Sequence, residues 1–595
     1  MSKLVCKVFI ALTKNDVVNV IEHVTENDII LTDLFCPCHR GQTFEAVFKD
    51  SSDTTLVRKV SNWFNVQSKI HNFSFGYVNA FYQSCIRPLS GYLTGIDQIL
   101  AVKGKENIIF YLPVSLKLKR KTSSYFLAEY ESAGIHLYDR HSVLMPYIED
   151  YIISNQLLYK KETRKFALQH LIYNPMRLWG VFLLRLIADI SASIKNSLTF
   201  KKRAIKGSND ELFIIRTEGQ AITLAPYLLS TSKSICLVIG PSFVDDDVFR
   251  TLIRLVENKE NITIVRVGSP SVNKILMIYM KTVKEIFCCR NKIFPYKGVN
   301  IYITQALREI IAMNASLNIY KMQIREKINE SPSSFIFSLE QKSPHAFVNA
   351  ELARHSKTLS AQIQWCQQAF FDIPNPVCAD FFLCETPKVM KSFQESWTKH
   401  TDRLRYIGSL QGIVPDNSLK VNRKHSDILR ICLFLGVERF SNIALLKHFS
   451  KFSQLNKIEL IVKLHPRDSH SYSSLFPNAT YFTSYEKSFL QFSLTFDLAV
   501  TFPSGVISDL IFSEVPFLVY IHPEDKEFKH AESEYLPEGM EFIVHISDLW
   551  KKIGNMDELV REHKLILENF KKANGIFTDI KLIESNLKKL ITESS

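Results

Sequence analysis

The sequence predicts an α/β protein made of doubly wound parallel sheets: two similar units in tandem, preceded by a separate α/β unit. Three observations lead there. Apolar runs of strand length recur, separated by segments of helical length, which is the rhythm of βαβ units. That rhythm restarts twice, near residues 206 and 406. And 595 residues are too many for one hydrophobic core.

In the first unit, residues 1–150, the expected strands are CKVFIAL (6–12), DIILTDL (28–34), NIIFYLPVSL (107–116) and GIHLYDR (134–140). Residues 151–205 read as a helical connector running into the basic segment KKRAIK (201–206). The second unit, 206–405, opens with ELFIIRTEGQAITLAPYLL (211–229), a strand, a loop and a helix. It continues with the strand SICLVIGPS (234–242), the helix DDDVFRTLIRLVEN (245–258) and the strands NITIVRVGS (261–269), SSFIFSLEQ (333–341) and CADFFLCET (378–386). The third unit, 406–595, places strands at LRICLFLGVERF (429–440), KIELIVKLHP (457–466), ATYFTSY (479–485), DLAVTFPSG (497–505) and VPFLVYIHP (515–523), before a helical tail from Met556. In doubly wound sheets ligands bind outside the carboxyl ends of the strands, so the informative residues are those where strands stop.

The composition, 46% hydrophobic and 22% charged, is that of a folded chain. A net charge of +13, with clusters such as KLKRK (117–121), suits anionic partners: nucleotides, acidic glycans, anionic lipid or nucleic acid. A solvated basic face is the plain alternative. No aromatic-interleaved basic motif supports nucleic-acid binding. The opening MSKLVCKVFIALTKND reads as a first strand rather than a signal peptide, and the 11 cysteines then read as reduced thiols of a cytoplasmic protein. Cys36, Cys38 and His39 lack zinc spacing, and Asp245-Asp246-Asp247 fits a helix first turn better than a metal site, so no metal centre is expected. Residues 176–194 are apolar but interrupted by Arg177, Arg185 and Asp189, which suits a buried or surface-lying amphipathic helix rather than a bilayer span.

Three strand ends carry candidate chemistry. In IELIVKLHP, side chains alternate, so Leu460, Val462 and Leu464 share one face and Ile461, Lys463 and His465 the other. Pro466 stops the ladder, leaving Lys463 and His465 at the rim to meet a phosphate. A structural histidine beside a snorkelling lysine is the alternative. The loop Thr501-Phe502-Pro503-Ser504-Gly505 brings a hydroxyl and backbone amides to a helix start, which suits an anion; Ser504 as an ordinary helix cap is the alternative. Asp509 and Glu514 follow, either within reach of a ribose or sugar hydroxyl or ordinary exposed helix carboxylates. In the second unit, Glu218 sits just beyond a strand and is a candidate general base, or a polar residue complementing a helix start.

K-x-H-P at a strand end (Lys463, His465, Pro466), followed by a strand, a hydroxyl-bearing loop and a helix, resembles the bacterial surface-polysaccharide transferases of the GT-B fold. That group includes capsule Kdo transferases, polysialyltransferases and CDP-glycerol glycerophosphotransferases. The segment LRYIGSLQG (404–412) is similar to the group's crossing between halves. The resemblance covers roughly 205–590. It departs at Gln367-Gln368-Ala369, where many relatives carry Gln-His-Gly, and at Pro503-Ser504, where some carry two serines.

The resemblance implies a metal-independent glycosyltransferase that moves a sugar from a nucleotide donor, a CMP-sugar such as sialic acid or Kdo by preference, to a bacterial surface glycan. No cofactor is implied, the nucleotide-sugar being a substrate. Lys463, His465, Pro466, Thr501, Ser504, Gly505 and Glu514 are implied on the donor side, with His465 and Glu218 catalytic. The implied partners are the donor and a glycan or glycolipid acceptor, with peripheral contact at the inner membrane and a cytoplasmic location. A CDP-glycerol-type transferase, a nucleotide-sugar epimerase and a non-catalytic assembly protein are the alternatives.

Overall fold

The computed structural model describes residues 5–12, 23–32, 54–113, 140–161, 179–194, 209–240, 245–364, 377–413, 428–465, 472–483, 489–521 and 536–594, apart from short interruptions within them, together with Asp16, Val20 and Gln42–Thr43.

The first unit contains β1 (Cys6–Ile10), β2 (Ile29–Leu31), β3 (Gln42–Thr43), α1 (Thr54–His71), α2 (Gly76–Phe81), α3 (Arg87–Lys103), β4 (Ile108–Leu112), α4 (Arg140–Ser154) and β5 (Tyr159–Lys161). The strands form one parallel sheet in the order β3-β2-β1-β4-β5. In β1, Val8 and Ile10 are buried while Lys7 and Phe9 are half-buried, the alternation a pleated strand imposes. Residue 150 lies inside α4, and β5 follows it in the same sheet. The proposed strand at 134–140 and the Cys36–His39 motif lie outside the described residues, except that Arg140 opens α4.

The second unit runs β6 (Asn209–Ile215), α5 (Glu218–Ser230), β7 (Ile235–Ile239), α6 (Asp245–Val256), β8 (Ile262–Arg266), α7 (Val272–Cys288), β9 (Ile293–Tyr296), β10 (Val299–Tyr302), α8 (Thr304–Glu330), β11 (Ser333–Ser338), α9 (Pro344–His355), β12 (Leu359–Ile363), β13 (Phe381–Leu383), α10 (Pro387–Ser396) and β14 (Leu404–Arg405). Its parallel sheet has the order β14-β13-β12-β11-β6-β7-β8. The third unit runs β15 (Leu429–Phe434), α11 (Arg439–Ser453), β16 (Ile458–Lys463), β17 (Thr480–Phe482), β18 (Leu498–Thr501), α12 (Val506–Phe512), β19 (Phe517–Tyr520), β20 (Phe542–Ile543), α13 (Ile546–Gly554), α14 (Met556–Ala573) and α15 (Ile580–Ser594), with the sheet order β17-β16-β15-β18-β19-β20.

All three sheets are wound the same way. The first strand is central, the next two extend to one side and the later ones to the other. Each sheet therefore has a switch point beside its first strand, where successive connections diverge and a crevice opens. Both faces are covered, as parallel sheets require. In the second unit, Phe213 and Ile215 join one core and Leu212 and Ile214 the other, and the latter core is continuous with that of the first unit. The β9–β10 hairpin adds to this junction: Tyr296 Oη and Ser90 Oγ are 2.9 Å apart, and Lys297 pairs with Asp97 at 2.6 Å.

The second and third units have the tandem GT-B arrangement, joined by two adjacent chain crossings. Residues 406–413 lead out of β14, and 574–580 lead back to α15. Ser409 N donates to Phe577 O (3.0 Å) and Phe577 N donates to Tyr406 Oη (3.1 Å). Gly408 lies between them at φ +118, where an added Cβ would sit 2.5 Å from Ile583 Cγ1, so only glycine fits. Beyond the crossing, Ile583, Leu587 and Leu590 of α15 complete the core of the second unit, and Thr231 donates to Glu584 at 2.6 Å.

Candidate active site

The third sheet's switch point lies between β15 and β18. Strand β16, on the other side of β15, pairs with it in full register from Leu429↔Ile458 to Phe434↔Lys463. Strand spacing puts the ends of β16 and β18 about 10 Å apart, close enough for side chains from both to reach one phosphate. Leu460 and Val462 enter one core and Ile461 the other, as the alternation requires.

Lys463 is buried, and its Nζ donates to the carbonyls of Leu464 (2.9 Å) and Thr483 (3.0 Å). It thereby ties the end of β16 to the residue that follows β17. Burial pushes its pKa down to about 8, so near neutrality the ammonium still carries its proton to these acceptors. His465 follows, half-buried, just past the strand end. Pro466 lies outside the described residues.

On β18, Thr501 is fully buried; its hydroxyl donates to Phe502 O (2.8 Å) and lies 3.3 Å from Ser504 Oγ. With the threonine proton on that carbonyl, Ser504 is the donor to Thr501. Gly505, not Ser504, occupies the cap position of α12, and no side chain caps that helix. Glu514 lies in the turn after α12 at φ +53 and accepts from Lys571 of α14 at 2.7 Å.

On the facing half, Thr217 caps α5 in a reciprocal box: Gln220 N donates to Thr217 Oγ1 (3.3 Å), while Arg216 N and Thr217 N donate to Gln220 Oε1. Glu218 is thereby fixed in the first turn, and Thr251 of α6 donates to its Oε1 at 2.7 Å. The aspartate triplet opens α6: Asp246 pairs with Arg266 at 2.5 Å and Asp247 with Arg250 at 3.7 Å.

The fold adds residues that strand-end reading passed over. Glu385, two residues past β13, is buried and meets Ser508 and Asp509 of α12 across the junction of the halves. Its backbone N–H donates to Gln364 Oε1 (3.0 Å), while its own Oε1 has no hydrogen-bond partner. Burial first, then the charge of Asp509, pushes Glu385 up to about 8, against a lowering hydrogen bond from Ser508. Asp509 is only partly buried as a residue, but desolvation lifts its carboxyl to about 7. Near the second sheet's switch point, His345 begins α9 with an edge-on contact to Tyr320 (centroids 4.7 Å apart) and its Nδ1 without a partner. Burial, then Arg216 and Arg185, hold it well below the usual histidine range, so it stays neutral. With Tyr77, Arg185, Asp189 and Gln323 it lines a cavity of about 60 Å³. The available signal was an acid directly after an apolar strand in FFLCE, the feature that singled out Glu218.

The arrangement offers carboxyls poised to exchange protons near neutral pH, and hydroxyl and imidazole groups at the third sheet's carboxyl edge. No group of three or more metal-ligating side chains occurs among the described residues.

No family model matches the chain, and no curated protein matches it. Solved structures are similar in fold. A UDP-GlcNAc 2-epimerase from Neisseria meningitidis bound to UDP-GlcNAc shares 12% identity over 64% of this chain and 100% of its own, with a TM-score of 0.42. A glycosyltransferase from Rickettsia africae shares 11% over 65% and 100%, with a TM-score of 0.39. A variant of the wall teichoic acid polymerase TagF shares 12% over 71% and 98%, again at 0.39. The likeness is one of fold alone, and the architecture stands on the sheet orders and the paired crossings.

Proposed function

We propose that this chain is a glycosyltransferase that moves a sugar from a nucleotide-activated donor to a glycan or glycolipid acceptor, without a metal or other cofactor. The observation that carries the reading is the third sheet's edge, where His465 and the Thr501–Gly505 loop end the strands flanking β15. In this reading His465 and the Gly505 amide hold the donor phosphate as it departs, and the Ser504 hydroxyl turns its proton from Thr501 to the phosphate when the donor binds. Lys463 positions His465 by tying down the strand end, and Pro466 ends the ladder there. Glu218 takes the proton of the acceptor hydroxyl, and Glu514 fixes the far end of α12 through Lys571. A CMP-sugar such as sialic acid or Kdo is the favoured donor and a bacterial surface glycan the favoured acceptor, by resemblance in the K-x-H-P and serine-loop order. Work at the cytoplasmic side of the inner membrane follows from that acceptor. No helix among the described residues is long and apolar enough to cross a membrane.

The test is donor turnover with and without acceptor oligosaccharide, for wild type and Glu218→Gln. Acceptor-dependent transfer that Glu218→Gln loses while still binding nucleotide supports the reading. Turnover without acceptor assigns an epimerase, transfer of a polyol phosphate assigns a CDP-glycerol-type enzyme, and unchanged transfer in Glu218→Gln removes that residue as the base.

A further inference from the structure

We infer that the face formed by helical residues 182–194 and α7 docks on an anionic lipid surface. The two helices lie side by side. Tyr279 Oη donates to Asp189 Oδ2 (2.7 Å), Ser193 Oγ donates to Pro270 O (2.7 Å), and Phe182 packs on Tyr279 with ring centroids 4.9 Å apart. Their inner faces hold Arg185, Ser193, Ile275, Tyr279 and Ile286.

Their outer faces are apolar. Leu183, Leu184 and Ile187 are 53–60% exposed, and Met277, Met280 and Phe287 are 70–73% exposed. The spacings i, i+1, i+4 and i, i+3, i+10 place each set on one stripe of its helix. Trp179, at the margin, stacks obliquely on Phe287 with centroids 5.8 Å apart. Six large apolar side chains on two adjacent helices, each more than half exposed, exceed the singly scattered hydrophobics of a soluble face.

The charge around the patch selects the partner. Exposed Lys284 lies within the α7 stripe, and exposed Lys274 and Lys281 border it. Lys281 also pairs with half-buried Glu285 at 3.8 Å, one turn along the same helix. An apolar stripe set with exposed lysines is what an interfacial helix presents to anionic headgroups: acyl chains take the stripe, and phosphates take Lys274, Lys281 and Lys284. A protein partner would want a rim of mixed charge and satisfied hydrogen bonds instead.

The inference stands on this surface alone and does not depend on the transferase reading. It is tested by flotation of the full chain with vesicles of phosphatidylcholine alone, or of phosphatidylcholine mixed with phosphatidylglycerol. Wild type is compared with Leu184→Glu/Met280→Glu, two exposed positions where a fold defect would show as a changed melting temperature. The expected result is flotation with the anionic vesicles only, weakened by salt and reduced at least about tenfold in the double variant, with unchanged melting. Failure of wild type to float, equal flotation of the variant, or equal binding to neutral vesicles overturns it. A wild-type dimer that the double variant loses, without flotation, assigns the face to a second copy of the chain and overturns it too.

Discussion

Glu385 and Asp509 meet across the junction of the second and third units, and both carboxyls are held toward their neutral forms, at about 8 and about 7. The contact links the segment after β13 to the helix after the Thr501–Gly505 loop.

The sign of the resulting pH dependence follows from the raised values. The folded state binds more protons than the unfolded state between the ordinary carboxylate range and about 8. Stability is therefore fully present below that ordinary range and is lost as pH rises through the folded values. Glu385→Gln, neutral at every pH, flattens this decline. Thermal melts from about pH 5 to about pH 8 are expected to show the variant gaining up to about 3 kcal/mol on wild type at the alkaline end. Parallel curves for the two proteins would contradict the buried pair.

Lys463 is expected to act by position. Lys463→Met keeps the volume but leaves the carbonyls of Leu464 and Thr483 without their donor, at a cost of about 1–3 kcal/mol near pH 7. Because its folded value is lowered to about 8, wild-type stability contains a contribution that grows as pH rises from 8 toward the ordinary lysine value, and the variant lacks that rise. Denaturant titrations at two pH values measure both effects.

Two glycines give a paired test of the crossing. Gly408→Ala must adopt φ +118 and displace Ile583, so a loss of about 2–4 kcal/mol is expected, with opening of the junction visible as faster amide exchange in α15. Gly298→Ala, in the β9–β10 turn at φ +79 with no atom within 4 Å of the added carbon, should cost only about 1 kcal/mol. Equal losses would mean that the crossing is not tightly packed.

Much of the architecture was legible because buried parallel strands need apolar runs, and ICLVI, the ICLF of β15 and FLVY supply them. Strand β12 was not legible. Its Ser360 donates to Asp380 (2.8 Å), and its Gln362 accepts from the N–H groups of Cys378 and Ala379, so buried polar side chains disguise the run. Strand β20, Phe542–Ile543, is too short to carry a periodic signal. The helical tail announced its amphipathicity but not its destination: Ile583 and Leu587 look alike whether they cover their own sheet or the preceding one. Along β16, the alternation that sends Leu460 and Val462 to one core and Ile461 to the other was readable, whereas the Thr483 carbonyl that takes the Lys463 ammonium is set by sheet register. Glu385 needed the approach of α12 before its position meant anything.

In the proposed function the third sheet's carboxyl edge holds a nucleotide's phosphate at His465 and the Thr501–Gly505 loop. A thermal-shift panel of CMP, CDP, UDP and GDP on wild type and His465→Ala tests it most directly, since a ligand that binds only the folded state raises the melting temperature. The account predicts a concentration-dependent rise for wild type, largest with a cytidine nucleotide, that His465→Ala loses. No rise with any nucleotide well above a millimolar dissociation constant, or the same rise in both proteins, would contradict it.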